Sequence, residues 1–368
     1  MKPRVLVAMS GGVDSSVAAA ILREQNYDVV GVAMRLASEP TVPVAKRRGT
    51  CCSHDDFEDA RRVAERMDFP FYVIDLRADF AARVVDNFVS EYLGGRTPNP
   101  CVMCNREIKF DRLWSRARAL NADYVATGHY ARIERGADAR FHLLRATDDS
   151  KDQSYFLFTL GQDELSRTIF PLGAMTKTEV RARARALGLA TADKPESQEI
   201  CFVPDGDYAS FVERLSDPAQ LRPGSIIDSD GRRLAGHAGV HRFTVGQRRG
   251  LGIASSERVY VREIRAESGE VVAGPREQLD SSGLIANRIS LVDESIASGG
   301  EVAVEVKIRY RHRAIPATMR VDSERRAEIR FASSGPAVTP GQACVFYRGD
   351  EVLGGGFIER AVTEKAAN

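Results

Sequence analysis

The sequence predicts an α/β fold: a doubly wound parallel sheet, followed by a small central domain and a C-terminal β-barrel or sandwich. Three observations predict it. Strand-like and helix-like segments alternate from Arg4 to His129, the pattern that builds a parallel sheet with helices on both faces. From about Pro204 helical signals nearly vanish. Beyond Leu279, runs such as Val302-Ala303-Val304-Glu305-Val306-Lys307-Ile308 alternate apolar and polar side chains, as half-buried strands do.

Each element has its own signal. The apolar run at 4–9 reads as a buried strand, and 17–22 carries helix formers with an apolar face. Residues 27–34 form a second strand, and the Pro-containing, basic stretch 38–50 is expected to be a mobile loop. Ser53 precedes an acidic first turn and caps a helix to about Met67. A third strand at 71–75 and a helix at 78–93 follow, then the break Thr97-Pro98-Asn99-Pro100. A helix from about Val102 to Leu120 leads into a strand at 124–129. Segments 131–134 and 141–145 form a hairpin around Gly136. Thr176-Lys177-Thr178-Glu179 is a capping box opening a helix to Leu187, closed by Gly188. Further on, 226–228 and 232–234 flank a Ser-Asp-Gly turn, and 259–264 pairs with 271–273 across Ser268-Gly269. The expected domains are 1–203, 204–278 and 279–368.

The totals exclude several classes. With 368 residues, 43% hydrophobic and 28% charged, the chain has the composition of a soluble globular protein with two or three domains. No apolar stretch approaches the roughly 20 residues of a membrane-spanning helix. A strand beginning by Arg4 leaves no room for a signal peptide, so a cytoplasmic location is expected. The net charge of +1 argues neither for nor against nucleic acid. Eight arginines between Gly231 and Arg265, against Glu257 and Glu263, could line a phosphate backbone. By charge alone they read better as a solvated face.

The most informative stretch is Ser10-Gly11-Gly12-Val13-Asp14-Ser15-Ser16, between the first strand and the first helix. Glycines let the backbone approach an anion, and a helix start favours negative charge. The string is neither G-x-x-x-x-G-K-[ST] nor G-x-G-x-x-G. It resembles the PP-loop of ATP pyrophosphatases, which split ATP into AMP and pyrophosphate while adenylating a substrate oxygen.

Cysteines come next. Cys101 and Cys104 lie at the start of a predicted helix, where the i, i+3 spacing sets them on one face and the helix N-terminus favours thiolate. Cys201 lies on a loop in Glu196-Ser197-Gln198-Glu199-Ile200-Cys201-Phe202. Spacing alone leaves structural zinc, inert thiols and sulfur chemistry open. Cys51-Cys52 reads as incidental and Cys344 as packing in a strand.

Taken together, Ser10 to Ser16, Thr97-Pro98-Asn99-Pro100 with Cys104-Asn105, Ala126-Thr127-Gly128-His129-Tyr130, Lys151-Asp152-Gln153-Ser154-Tyr155-Phe156-Leu157 and the Cys201 segment resemble the tRNA-specific 2-thiouridylases. The resemblance runs from Val5 to about Tyr347. It implies an adenine nucleotide hydrolase-like PP-loop domain, a central domain and a C-terminal β-barrel, the last two touching tRNA. It implies ATP, with Mg2+, held by Ala8, Met9, Ser10, Gly11, Gly12, Val13, Asp14, Ser15, Met34 and Gly128. Cys104 corresponds to the nucleophile and Cys201 to the persulfide carrier. Asn99, Pro100 and Cys101 fall where the target base is contacted. His129, Lys151, Asp152, Gln153, Arg309, Tyr310 and Gln342 fall at tRNA-contact positions. The expected partners are tRNA for Lys, Glu and Gln and a sulfur-carrier or cysteine desulfurase relay, with no membrane, the free protein being a monomer.

The implied reaction adenylates O2 of the wobble uridine and delivers sulfur to C2. One departure matters, since many relatives carry an acidic residue where this chain has Cys101. Two routes are therefore expected: a persulfide relay through Cys201 and Cys104, and a [4Fe–4S] cluster held by Cys101, Cys104 and Cys201. The relay is preferred because the family as a whole implies it. A PP-loop synthetase acting on a small nucleotide, and a non-enzymatic RNA-binding or cluster scaffold, are weaker readings.

Overall fold

A computed structural model describes residues 2–37, 54–195, 200–203, 206–297 and 300–363. The expected 38–50 loop, Cys51, Cys52, the Ser53 cap and residues 196–199 lie outside the described residues. Two compact units emerge: Met1–Val85, Cys101–Gly206 and Asp350–Val352 in one, Asp86–Pro100, Asp207–Gly349 and Leu353–Asn368 in the other.

In the first unit, β1 (Arg4–Ala8), β2 (Asp28–Arg35), β3 (Phe71–Asp75), β4 (Tyr124–Ala126) and β7 (Thr168–Ile169) form one sheet in the order β3-β2-β1-β4-β7. All four of its pairings are parallel. Period-2 alternation in β1 explains its two covered faces. Val5 and Val7 join a core with α1 (Val13–Glu24), α2 (His54–Arg66) and α8 (Lys177–Ala186), whereas Leu6 joins Leu113 and Ala117 of α6 (Asp111–Ala119) on the other side. This is the expected doubly wound arrangement. The strand order reverses between β1 and β4, and such a switch point opens a crevice at the carboxyl ends of the strands. The hairpin β5 (Arg132–Arg135) and β6 (Phe141–Leu144) pairs with Glu351 and Val352. The short α7 (Gln162–Leu165) follows it.

Helical residues 77–93 and 100–119 are less regular than their sequence suggests. The first run is α3 (Arg77–Phe80), a π-helical stretch Ala81–Val85 and α4 (Asp86–Leu93). The second is α5 (Pro100–Met103), a π-helical stretch Cys104–Phe110 and α6. Widened turns of this kind concentrate at functional sites.

The second unit holds two β assemblies. β8 (Gly224–Ile227), β9 (Arg233–His237), β10 (Tyr260–Arg265) and β11 (Glu270–Gly274) form a sheet in the order β10-β11-β8-β9 around Ile226, Phe243, Leu251, Val261 and Val271. Both predicted hairpins are there. β12 (Ser281–Leu291), β13 (Val302–Lys307), β14 (Ile315–Val321), β15 (Ala327–Gly335), β16 (Ala343–Arg348) and β17 (Glu351–Val362) follow the order β12-β15-β14-β13-β16-β17. Antiparallel pairing of β12 with β17 closes them into a barrel. Closure removes the exposed edges that an open sheet would leave. Cys344 faces the barrel core, where burial pushes its thiol up to about 12. One helix departs from the expected sparsity: α9 (Tyr208–Leu215) is capped by Asp207, whose carboxylate accepts from the Ser210 amide at 3.0 Å. Its Tyr208 stacks on Tyr92 of α4, ring centroids 4.7 Å apart.

Candidate active site

The loop after β1 is built around backbone approach. Gly11 has φ +70°, and a Cβ there would stand 2.1 Å from the carbonyl oxygen of Asp56. Only glycine fits both constraints. α1 starts at Val13, so Asp14, Ser15 and Ser16 lie in its first turn and not, as expected, ahead of the helix. The Ser10 amide donates to Ser15 Oγ at 3.1 Å, and the Ser15 and Ser16 hydroxyls donate to the Gly12 carbonyl at 3.2 and 2.9 Å. From the other side of the switch point Gly128 closes in, where a Cβ would lie 2.8 Å from the Ser15 nitrogen. Ala8 ends the strand below and Met9 follows it, Val13 is buried, and Met34 is half-buried near the end of β2. This is a cradle that side chains would fill, at a helix start whose dipole favours an anion, and it fits the polyphosphate of ATP.

Two lysines complete the loop. Lys177 Nζ lies 2.8 Å from each carboxylate oxygen of Asp14, which also accepts from Tyr130 Oη at 2.8 Å. Gln153 Oε1 accepts from the Tyr130 amide at 2.9 Å, extending this ladder. Lys194 Nζ donates to the Gly11 carbonyl at 3.1 Å, to Asp56 at 2.6 Å and to Asp59 at 2.7 Å. Burial opposes its charge, but the two carboxylates outweigh burial and raise its pKa. Sequence reasoning missed both lysines. A signal existed for Lys177, because a cation in the first turn of a helix opposes the macrodipole and needs a local anion.

The residues expected to touch tRNA in this unit are mostly turned inward. His129 is 8% exposed, its Nδ1 2.7 Å from Thr127 Oγ1 and its ring stacked on Phe110. Burial, reinforced by the charge of Lys109, holds its pKa well below 6.5, so the imidazole is neutral. Asp152 is buried and accepts from the amides of Ala146 at 3.2 Å and Ser154 at 3.1 Å. Lys151 is half-buried.

Cys104 belongs to an apolar cluster with Leu36, Leu76, Phe80, Val84 and Ile108. Met34, Cys201 and Phe202 pack against the same cluster, Phe202 meeting Phe80 edge-to-face at 5.5 Å. The fold thus brings Cys201 to the neighbourhood of Cys104 across nearly a hundred residues of chain. Cys101 is exposed while Cys104 is buried, so the expected shared face does not give the two thiols a shared environment. Among the described residues no three His, Cys, Asp or Glu side chains gather as metal ligands. The three cysteines therefore do not fit a cluster site in this arrangement.

In the second unit, Gln342 Nε2 donates to the Thr97 carbonyl at 2.9 Å and the Pro98 carbonyl at 3.2 Å. It holds the approach to Asn99, which is half-buried, and Pro100, which is buried. Arg309 Nη2 donates to Thr339 Oγ1 at 2.8 Å and the Ala337 carbonyl at 3.2 Å, and Tyr310 is half-buried beside it.

A strand-order switch point, a glycine cradle at a helix start and a half-buried Cys201 packed against the cluster of buried Cys104 define a nucleotide-activating α/β protein with thiols beside it. Family models match over most of the chain. Residues 3–205 match the tRNA methyl transferase HUP domain, 210–275 its PRC-barrel domain and 281–358 the aminomethyltransferase β-barrel domain. The tRNA-specific 2-thiouridylase MnmA of Geobacter metallireducens is 53% identical over 365 residues, 99% of this chain and 98% of that protein. Its counterpart in Geotalea uraniireducens is 53% identical over 370 residues, covering 100% and 97%. That of Carboxydothermus hydrogenoformans is 48% identical over 362 residues, covering 98% of each. The chain belongs to the tRNA-specific 2-thiouridylase family. No helix of the described residues is long and apolar enough to cross a membrane.

Proposed function

We propose that this enzyme, a tRNA-uridine 2-sulfurtransferase that consumes ATP, acts on the wobble uridine of tRNA for Lys, Glu and Gln by a persulfide relay. ATP, as its magnesium complex, lies in the cradle of Ala8, Met9, Ser10, Gly11, Gly12, Val13, Asp14, Ser15, Met34 and Gly128. Uridine O2 attacks the α-phosphorus, pyrophosphate leaves, and C2 then carries AMP as its leaving group. A cysteine desulfurase or sulfur carrier loads Cys201 as a persulfide. The Cys104 thiolate attacks the inner sulfur, forming a Cys104–Cys201 disulfide and releasing hydrosulfide, which attacks C2 and expels AMP. A thiol reductant supplies the two electrons that reset the pair.

The observation that carries this reading is the packing of Cys201 against the apolar cluster that contains Cys104. Disulfide formation needs Cα atoms within about 7 Å, and the two side chains already share one cluster. Segments 1–203, 204–278 and 279–368 divide the work into activation and RNA binding. Asn99, Pro100 and Cys101 receive the base, Lys151, Arg309 and Tyr310 face RNA, and His129, Asp152, Gln153 and Gln342 shape the contacting surfaces. A single-stranded anticodon loop suits a base that must be reached outside a stack.

Single-turnover thiolation of an anticodon stem-loop tests the relay. Cys104→Ser and Cys201→Ser are expected to abolish 2-thiouridine while AMP still forms, and Cys101→Asp to retain activity. Full thiolation by either serine variant, or iron and labile sulfide bound to an active enzyme that Cys101→Asp inactivates, overturns it.

A further inference from the structure

The arginine-rich stretch of the second unit contains a built loop, residues 244–252. Val245 and Leu251 are buried at its two ends, and Arg248, Arg249 and Gly250 between them are exposed. Gly246, Gly250 and Gly252 take φ of +90°, +77° and +65°. Gln247 braces the interior: its Oε1 accepts from the Thr244 amide at 2.9 Å and its Nε2 donates to the Arg249 carbonyl at 2.9 Å. The Val261 amide donates to the Gln247 carbonyl, and the Gly246 amide to the Val261 carbonyl. Arg242 and Arg265, elsewhere in the stretch, are committed to Glu213 and Glu263. Arg248 and Arg249 have no acidic partner among the described residues. The loop is also tied to the segment that leads to Asn99 and Pro100, because Thr97 Oγ1 donates to Thr244 Oγ1 at 3.1 Å. Thr339 Oγ1, which Arg309 holds, reaches the Val245 carbonyl at 3.4 Å.

A braced loop that holds two uncompensated guanidiniums outward, bonded to the segment leading to Asn99, is a fixture for a polyanion. We propose that Arg248 and Arg249 clamp backbone phosphates of the RNA strand that carries the target uridine. This rests on the RNA-modifying reading above. The contact is to phosphate, so it adds affinity and register without reading sequence.

The test is binding of a uridine-containing anticodon stem-loop RNA to the full chain across a salt series. Arg248→Ala/Arg249→Ala is expected to weaken binding roughly tenfold at low salt and to flatten the log–log salt slope by about 1.5, the release expected for two phosphates. Arg248→Lys/Arg249→Lys keeps both charges and is expected to keep the slope. Arg320→Ala/Arg330→Ala, on the barrel, is the control for general charge loss, with all chains checked by thermal unfolding. An unchanged slope in the alanine pair, while the unaltered enzyme binds and thiolates the RNA, overturns the clamp and leaves the proposed function standing. Loss in the lysine pair equal to that in the alanine pair also overturns it, because charge then does not carry the contact. An unaltered enzyme that neither binds nor thiolates the RNA overturns the proposed function and the clamp together.

Discussion

Lys177, the first residue of α8, is 9% exposed and places Nζ 2.8 Å from both oxygens of Asp14, in the first turn of α1. The pair joins two helices that are 163 residues apart in sequence. Replacing Lys177 by Met leaves a part-buried carboxylate without its cation, at a cost of about 1–3 kcal/mol. Denaturant unfolding is expected to show that loss, and AMP formation to fall with it. A Lys177→Met protein as stable and as fast as its parent refutes the role.

Gly11→Ala tests the cradle. The new methyl would meet the Asp56 carbonyl at 2.1 Å in a backbone region unfavourable to alanine. The loop must shift by about an ångström, and misplacement of that size costs on the order of 100-fold in rate. ATP-dependent AMP release is the measurement, and a loss below about threefold contradicts the geometry.

His142 predicts a pH dependence of stability. Its Nδ1 lies 2.6 Å from Glu351, which ties residues 350–352 to the β5–β6 hairpin, and its Nε2 lies 3.2 Å from Asp138. The Glu351 hydrogen bond raises the His142 pKa against the opposing effect of burial, and Asp138 adds to the rise. A raised folded pKa contributes stability that is fully present below the ordinary value of 6.5 and is lost as pH rises through the folded value. Side chains this exposed limit the His142–Glu351 share to about 1 kcal/mol. Asp138, lowered mainly by the Arg140 amide and then by His142, contributes above 3.8 and loses its share as pH falls through its folded pKa. Unfolding midpoints below and above this window are expected to converge in His142→Gln, and an unaltered pH dependence there discounts the pair.

Gln342→Leu removes one donor from two carbonyls, those of Thr97 and Pro98. Each lost hydrogen bond costs about 1 kcal/mol. The KM for RNA is expected to rise several-fold while the affinity for ATP, bound in the other compact unit, holds. Equal effects on both ligands contradict a local positioning role.

The sheet was legible because its signal is periodic. Val5, Leu6 and Val7 alternate between two cores, and a buried parallel strand reads as such from its side chains alone. The glycine loop was legible because Gly11 has no substitute at its φ and contact distance. Lys177 and Lys194 were not, since their carboxylate partners Asp14 and Asp56 lie 163 and 138 residues away, and the one local hint, a cation in the first turn of a helix at Lys177, does not name its partner. α9 was missed for a related reason: its apolar face packs on α4, and its cap Asp207 sits among turn-forming residues. Nor did spacing alone reveal that Cys201 meets the cluster of Cys104, which the fold brings about.

The π-helical stretch Cys104–Phe110 has a consequence for the aim of a sulfur atom. Each residue of a regular helix advances the side-chain direction by about 100°. A widened turn absorbs additional chain between two anchored ends, here the cluster around Cys104 and the seat of Leu113 and Ala117 on the sheet. Removing one exposed residue, such as Arg106, would let the turn relax to ordinary pitch. Both ends would keep their seats, whereas the same deletion within the regular turns of α6 would rotate one end against the other by about 100°. The widened turn is thus a reserve of chain, and a single-codon deletion inside it would be absorbed without re-aiming Cys104.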